Sequence, residues 1–235
     1  MTGKRIENKN AAEPLREQVL HRCRRLLMNG RLRPGQKLPL RPMADEFNTG
    51  LMPVRDALNS LVADGVLEIT NGRTVRVPRL GEAQVTELHE IRCALEGLAA
   101  RLAVERIGGG ALSRLDELVD EMETSFVNRA YETYIDQHFS FHFTIYAAAN
   151  RPTLFSLIES LWLQLGPSFR QGIERARDIY DEQGKGGDPN HIHRKLIAAY
   201  RARDAVTAQK IIEIDIMTGM QVYLSGIWPT EFSTH

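Results

Sequence analysis

The chain has 235 residues, 43% of them apolar and 26% charged, with 30 Lys and Arg set against 30 Asp and Glu. That size allows one large globular domain or two small ones, and no apolar run approaches the roughly 20 residues of a membrane span. Two cysteines, Cys23 and Cys93, cannot build a disulfide scaffold, and the opening MTGKRIENKNAAEP lacks the apolar stretch of a secretory signal, so a reducing, cytoplasmic setting is expected.

The even balance conceals an asymmetry. Residues 1–80 carry 15 Lys and Arg against 8 acids, a net +7, while residues 81–235 carry 15 against 22, a net −7. A basic block joined to an acidic one points to a domain that meets a polyanion, although solvated surface arginines give the same sum.

In chain order, the first predicted helix runs from Pro14 to about Asn29, with Leu15, Val19, Cys23, Leu26 and Leu27 on one stripe, and Gly30 ends it. RLRPGQKL then reads as a turn around Pro34-Gly35. A short helix carries Met43, Ala44 and Phe47 before Asn48-Thr49-Gly50 breaks it. The next begins near Leu51, presents Val54, Ala57, Leu58, Leu61 and Val62 on one face and ends near Gly65. Two short helices across a three-residue break have the form of a helix-turn-helix. Residues 66–77 follow as a strand, an Asn71-Gly72 turn and an alternating strand, a strong hairpin signal. Helix, helix-turn-helix and hairpin give a winged helix, whose hairpin tip, with Arg73, can lie on phosphate while the second helix enters the major groove.

The run GRLRPGQKLPLRPMADEFNTGLMPVRDALNSLVADGVLEI resembles the N-terminal domain of the GntR family of bacterial transcription regulators. The resemblance implies that Arg41 and Arg55 sit at DNA, with Thr49 and Gly50 at the entry to the recognition helix. Two positions depart from the family pattern. Gly50 stands where Ser is usual, which removes a side-chain cap that Thr49 is expected to replace. Leu51 stands where Arg or Pro is frequent; it can touch a thymine methyl but cannot make a bidentate guanine contact.

From Gly81 onward the pattern is helical. Helices are expected over residues 82–107, 111–128, 131–149, 152–172, 191–202 and 204–224, with a loop over 178–190. The fold expected is mainly α: a winged helix-turn-helix over residues 1–80, then an all-α bundle over 81–235 whose facing helices can house a ligand.

Polar residues on the apolar faces of that bundle are its informative anomalies. His138 and His142 lie one turn apart, His193 heads a later helix, and Asp215 shares a face with Ile211, Ile212, Gly219 and Val222. A buried carboxylate needs a cation or strong donors. Converging from three helices, the four make an N/O metal site with open positions, although a core His more often just satisfies a hydrogen bond.

The segments EIRCALEGLAARLA (90–103), HFSFHFTIYAAANRPTL (138–154), LIESLWLQLGP (157–167) and HRKLIAAYRARDAVTAQKIIEIDI (193–216) resemble the FCD effector domain found behind GntR-type winged helices. The resemblance implies a divalent transition metal (Zn, Ni or Mn) on His138, His142, His193 and Asp215, with the first and last ligand types exchanged relative to the usual pattern. It also places Arg92 toward the pocket, where a guanidinium suits a small carboxylate or sugar acid; the alternative for Arg92 is an i,i+4 ion pair with Glu96. The expected function is a ligand-responsive homodimeric regulator, a repressor by default, that reads a palindromic double-stranded operator, associates with the nucleoid when bound and has no membrane partner. Two alternatives are a metal-free bundle that serves dimerisation and a metal-dependent enzyme; no general base pairs obviously with the cluster, so no catalytic residue is expected.

Overall fold

Helix α1 (Leu15–Met28) starts directly after Pro14, whose fixed φ suits a helix entry, and stops at Asn29 and Gly30, the latter at φ +68°. The computed structural model describes residues 14–70, 74–182 and 190–227. Val19, Leu20, Cys23 and Leu27 form the buried stripe of α1. Helix α2 (Leu40–Phe47) closes on Asn48 in the left-handed region, and α3 (Leu51–Ala63) buries Val54, Ala57, Leu58 and Leu61 against it. Strands β1 (Glu68–Ile69) and β2 (Val75–Arg76) pair antiparallel, with Glu68 opposite Arg76 and Ile69 opposite Val75. This is the expected winged helix. The Asn71-Gly72 tip and Arg73 lie outside the described residues.

The segment read from sequence as a plain turn also belongs to the wing. Its backbone pairs with the far side of β2: Gly35 donates to the Val77 carbonyl at 2.9 Å, Leu38 to Val75 at 2.9 Å, and Val77 returns a bond to Gln36. Lys37 lies opposite Arg76 in this short ladder.

The bundle comprises α4 (Glu82–Ala103), α5 (Gly109–Val127), α6 (Tyr131–Ala148), α7 (Pro152–Glu182), α8 (His191–Arg201) and α9 (Ala205–Ile227), with α4 packed along α9 and α6 between α5 and α7. None of the described helices is long and apolar enough to cross a membrane. Helix α7 overruns its predicted end by ten residues, so residues 178–182, predicted as loop, are helical, while 183–189 lie outside the described residues. The cause is continued anchoring: Arg177 is buried over the rings of Phe126 and Tyr180 and pairs with Asp181 at 3.0 Å. Asn190, at the loop's other end, is fully buried.

One apolar core runs from Val19 in α1 to Ile216 in α9, so the basic and acidic blocks are not packed independently. Their seam is tight. A Cβ on Gly166, in mid-α7, would stand 2.6 Å from the Leu27 carbonyl oxygen and 2.8 Å from Met28 Cα, so only glycine lets the end of α1 seat there. Beside it, Arg31 pairs with Glu132 of α6 at 2.8 Å, and Arg170 of α7 approaches the same carboxylate.

Candidate metal centre and nucleic-acid interface

Several arginines of the basic block are committed within the protein. Arg22 lies 4.4 Å over the Phe47 ring and donates to the Phe47 carbonyl, tying α1 to α2, while Arg76 pairs with Glu68 across the wing. Arg41 and Arg55 are exposed and, among the described residues, form neither an ion pair nor a hydrogen bond. Gly50 is the N-cap of α3, and no side chain caps that helix. The expectation for Thr49 fails here: its Oγ1 is buried without a partner among the described residues. Leu51 and Met52 occupy the first turn of α3 and face solvent.

The four candidate ligands meet as the spacing predicts. His138 and His142 come from α6, His193 from α8 and Asp215 from α9, and one ligand atom from each lies within 4.8 Å of all the others. His142 Nε2 stands 3.2 Å from His138 Nε2 and 3.4 Å from Asp215 Oδ2, and His193 Nε2 is 4.0 Å from the same oxygen. Metal bonds of about 2.1 Å place adjacent donors about 3–3.5 Å apart and opposite ones a little over 4 Å apart, so the donor set fits an ion at its centre. Burial, reinforced by neighbouring His and Arg charges, holds His138 and His142 well below the ordinary imidazole range and hence neutral, as ligands must be. Burial raises Asp215, opposed by the positive charge of His193 and Arg92.

Behind the cluster is a network that the sequence reading missed. Glu96 is fully buried and accepts from Arg92 Nε at 2.6 Å, Arg92 Nη2 at 3.3 Å, Trp162 Nε1 at 2.9 Å and the Tyr146 hydroxyl at 2.5 Å. The same phenol oxygen lies 3.2 Å from His142 Nδ1. Because the Tyr146 proton is directed to the carboxylate, the phenol oxygen can only accept from His142. Nδ1 therefore carries the imidazole proton and Nε2 presents its lone pair to the cluster. The traces in sequence are two i,i+4 pairs, Arg92–Glu96 and His142–Tyr146, each polar on an otherwise apolar helix face.

Both readings of Arg92 hold at once. It is buried in the Glu96 pair and stacks 4.7 Å over Trp162, yet it also lines a cavity of about 430 Å³ together with His138, His193 and Asp215. His89 and His191 line the same cavity and were not singled out as site residues from sequence. Leu165, Phe169 and Ile173 of α7 form part of its wall. The arrangement offers an oxyanion a guanidinium edge and a cluster of N/O ligands at one end of a partly apolar chamber.

The chain matches the sequence model of the FCD domain over residues 87–216 and that of "Bacterial regulatory proteins, gntR family" over residues 15–77. It is 30% identical over 189 residues to the HTH-type transcriptional regulator McbR of Escherichia coli strain K12, covering 80% of this chain and 82% of that protein. The HTH-type transcriptional repressor GlaR of the same organism is 24% identical over 210 residues, covering 83% of this chain and 90% of that one. A solved structure of E. coli McbR/YncC superposes with a TM-score of 0.82 at 27% identity, over 91% of this chain and 98% of that one. A GntR-type regulator from Rhodococcus sp. RHA1 shares the fold, with a TM-score of 0.68 at 19% identity, over 89% of this chain and 97% of that one.

Proposed function

This chain belongs to the GntR family of bacterial transcription regulators and carries an FCD domain; from that premise we propose a homodimeric repressor released by a carboxylate that binds beside a divalent metal ion. The matched relatives are transcription regulators, which removes the metal-dependent enzyme from consideration. The division proposed is residues 1–80 for operator binding and 81–235 for effector binding and dimerisation.

The observation that carries the reading is one cavity bordered by Arg92, His138, His193 and Asp215, with His142 directly behind. A bound Zn, Ni or Mn ion would supply a Lewis-acidic anchor for a carboxylate oxygen. The residues do the rest: Glu96 and Tyr146 hold His142 in its ligand tautomer, and Arg92, which Glu96 fixes at the cavity wall, would pair with the carboxylate. A small monocarboxylate or a sugar acid satisfies this chemistry.

Coupling to DNA runs through α7. Leu165, Ser168 and Phe169 border the cavity, while Gly166 between them bears on Leu27 and Met28 of α1. A ligand that favours one placement of α7 thereby favours one placement of the winged helix, and in a two-fold dimer it changes the spacing of the recognition helices. In this reading Arg41, Thr49, Gly50, Arg55 and Arg73 border the operator.

The test is operator affinity in a gel-shift titration at fixed salt, with metal-loaded protein and a panel of carboxylates and sugar acids. Weakened binding with at least one acid, absent in Arg92→Ala, supports the reading. Unchanged affinity across the panel together with unchanged dimerisation would favour a bundle that serves only to pair two winged helices.

A further inference from the structure

The first turn of α3 displays two large apolar side chains to solvent. Leu51 is 41% exposed and Met52 57% exposed, on a helix that buries Val54, Ala57, Leu58 and Leu61 on its other side. Arg55, one turn after Leu51, is exposed on the same side and unpaired among the described residues. Large apolar side chains left exposed mark an interaction surface when they sit where a partner docks.

The partner that fits here is duplex DNA. The surrounding block carries a net +7, α3 begins without a side-chain cap so that the backbone N–H groups of Leu51 and Met52 remain open, and Arg41 and Arg55 are uncommitted cations. The C5-methyl of thymine is the apolar feature that a base edge presents in the major groove. We infer that Leu51 and Met52 are specificity-determining residues that read thymine methyl groups, so that each operator half-site carries thymines opposite the start of α3, beside the position that Arg55 contacts. This rests on the operator-binding reading of α3 and adds what it recognises.

The experiment uses the full-length dimer. Its preferred duplex is selected from random DNA, and each thymine of that duplex is replaced singly by deoxyuridine, which removes the methyl group and keeps every hydrogen-bonding group. Wild-type affinity is expected to fall roughly fourfold at one or two thymines in each half-site, the factor that one buried methyl is worth. In Leu51→Ala and Met52→Ala the thymine duplex binds correspondingly more weakly, and the deoxyuridine penalty vanishes at the position that each residue reads. The proposal is overturned if no deoxyuridine substitution changes wild-type affinity, or if the penalties persist in the Leu51→Ala/Met52→Ala double variant. If selection enriches no duplex at all, the operator reading of α3 fails and this inference with it. If a duplex is enriched and its binding depends on Arg55 but on no methyl group, only the present inference fails. The wild-type arm stands on its own, so a variant that misfolds does not leave the question open.

Discussion

The Tyr146 hydroxyl and His142 Nδ1 lie 3.2 Å apart, and this contact ties the candidate metal centre by hydrogen bonds to the buried Arg92–Glu96 pair. Burial and the Glu96 charge raise the Tyr146 phenol well above its ordinary range, so it keeps its proton for the carboxylate. The direction of every hydrogen bond along the chain is therefore set, ending in a bare His142 Nε2.

Removing the phenol should loosen the ion without removing a ligand. Tyr146→Phe is expected to lower metal affinity by about 10–100-fold, the usual effect of losing a partner that orients a ligating histidine. Competition against a chelator of known affinity measures this directly. Unchanged affinity would mean that His142 is oriented by packing alone.

The seam at Gly166 predicts a coupling variant. Gly166→Ala forces a methyl against the Leu27 carbonyl and Met28 Cα, so α1 must move away from α7. Overpacking of this kind costs about 1–3 kcal/mol, visible as a lowered Tm. The same variant should retain carboxylate binding while operator affinity responds less to it. A wild-type response in a variant with a lowered Tm would place the coupling elsewhere.

Acid should destabilise the bundle through its neutral histidines. Burial, then the Arg92 charge, lowers His89 to about 4, against an ordinary value of 6.5. Between those values the unfolded chain binds the proton and the folded one does not, so stability is fully present above pH 6.5 and is lost as pH falls toward 4. The loss from His89 is at most on the order of 3 kcal/mol. His138 and His142 shift in the same direction and add to it. Denaturant melts of the wild type and His89→Gln across pH 4–7 should show a shallower acid slope in the variant; parallel slopes would contradict the assignment.

At the DNA face, Arg55→Ala should weaken specific operator binding by about 1–3 kcal/mol and relax base preference at one position in each half-site. Arg41→Ala, if it removes a phosphate contact, should weaken all sequences alike and reduce the salt slope by about one. Both side chains are exposed, so melting curves should not move.

Much of this architecture is legible in the sequence because period and punctuation agree. The apolar stripe of α1, the Asn48–Gly50 break and the alternating run after Arg73 each force one local answer. The four candidate metal ligands are legible for the same reason, since helical spacing alone puts His138 and His142 on one side of α6. What escapes is set by contacts distant in sequence. The end of α7 depends on Arg177 reaching Phe126, the extra pairing of Gln36 and Leu38 depends on β2, and Glu96 gains its meaning only when Trp162 and Tyr146 arrive from other helices. Thr49 shows the converse: a good capping residue type in the right place, whose hydroxyl turns inward and caps nothing.

The central claim is that His138, His142, His193 and Asp215 hold an ion. Its most direct measurement is the metal content of the protein purified without chelators, beside His142→Ala, His193→Ala and Asp215→Ala. About one transition-metal ion per chain is expected in the wild type and a loss of stoichiometric metal in each variant, with DNA binding in the absence of effector retained. Wild-type protein without bound metal that cannot be loaded with Zn, Ni or Mn, alongside variants that fold and bind DNA normally, would contradict it and leave the histidines as hydrogen-bonding residues of the cavity.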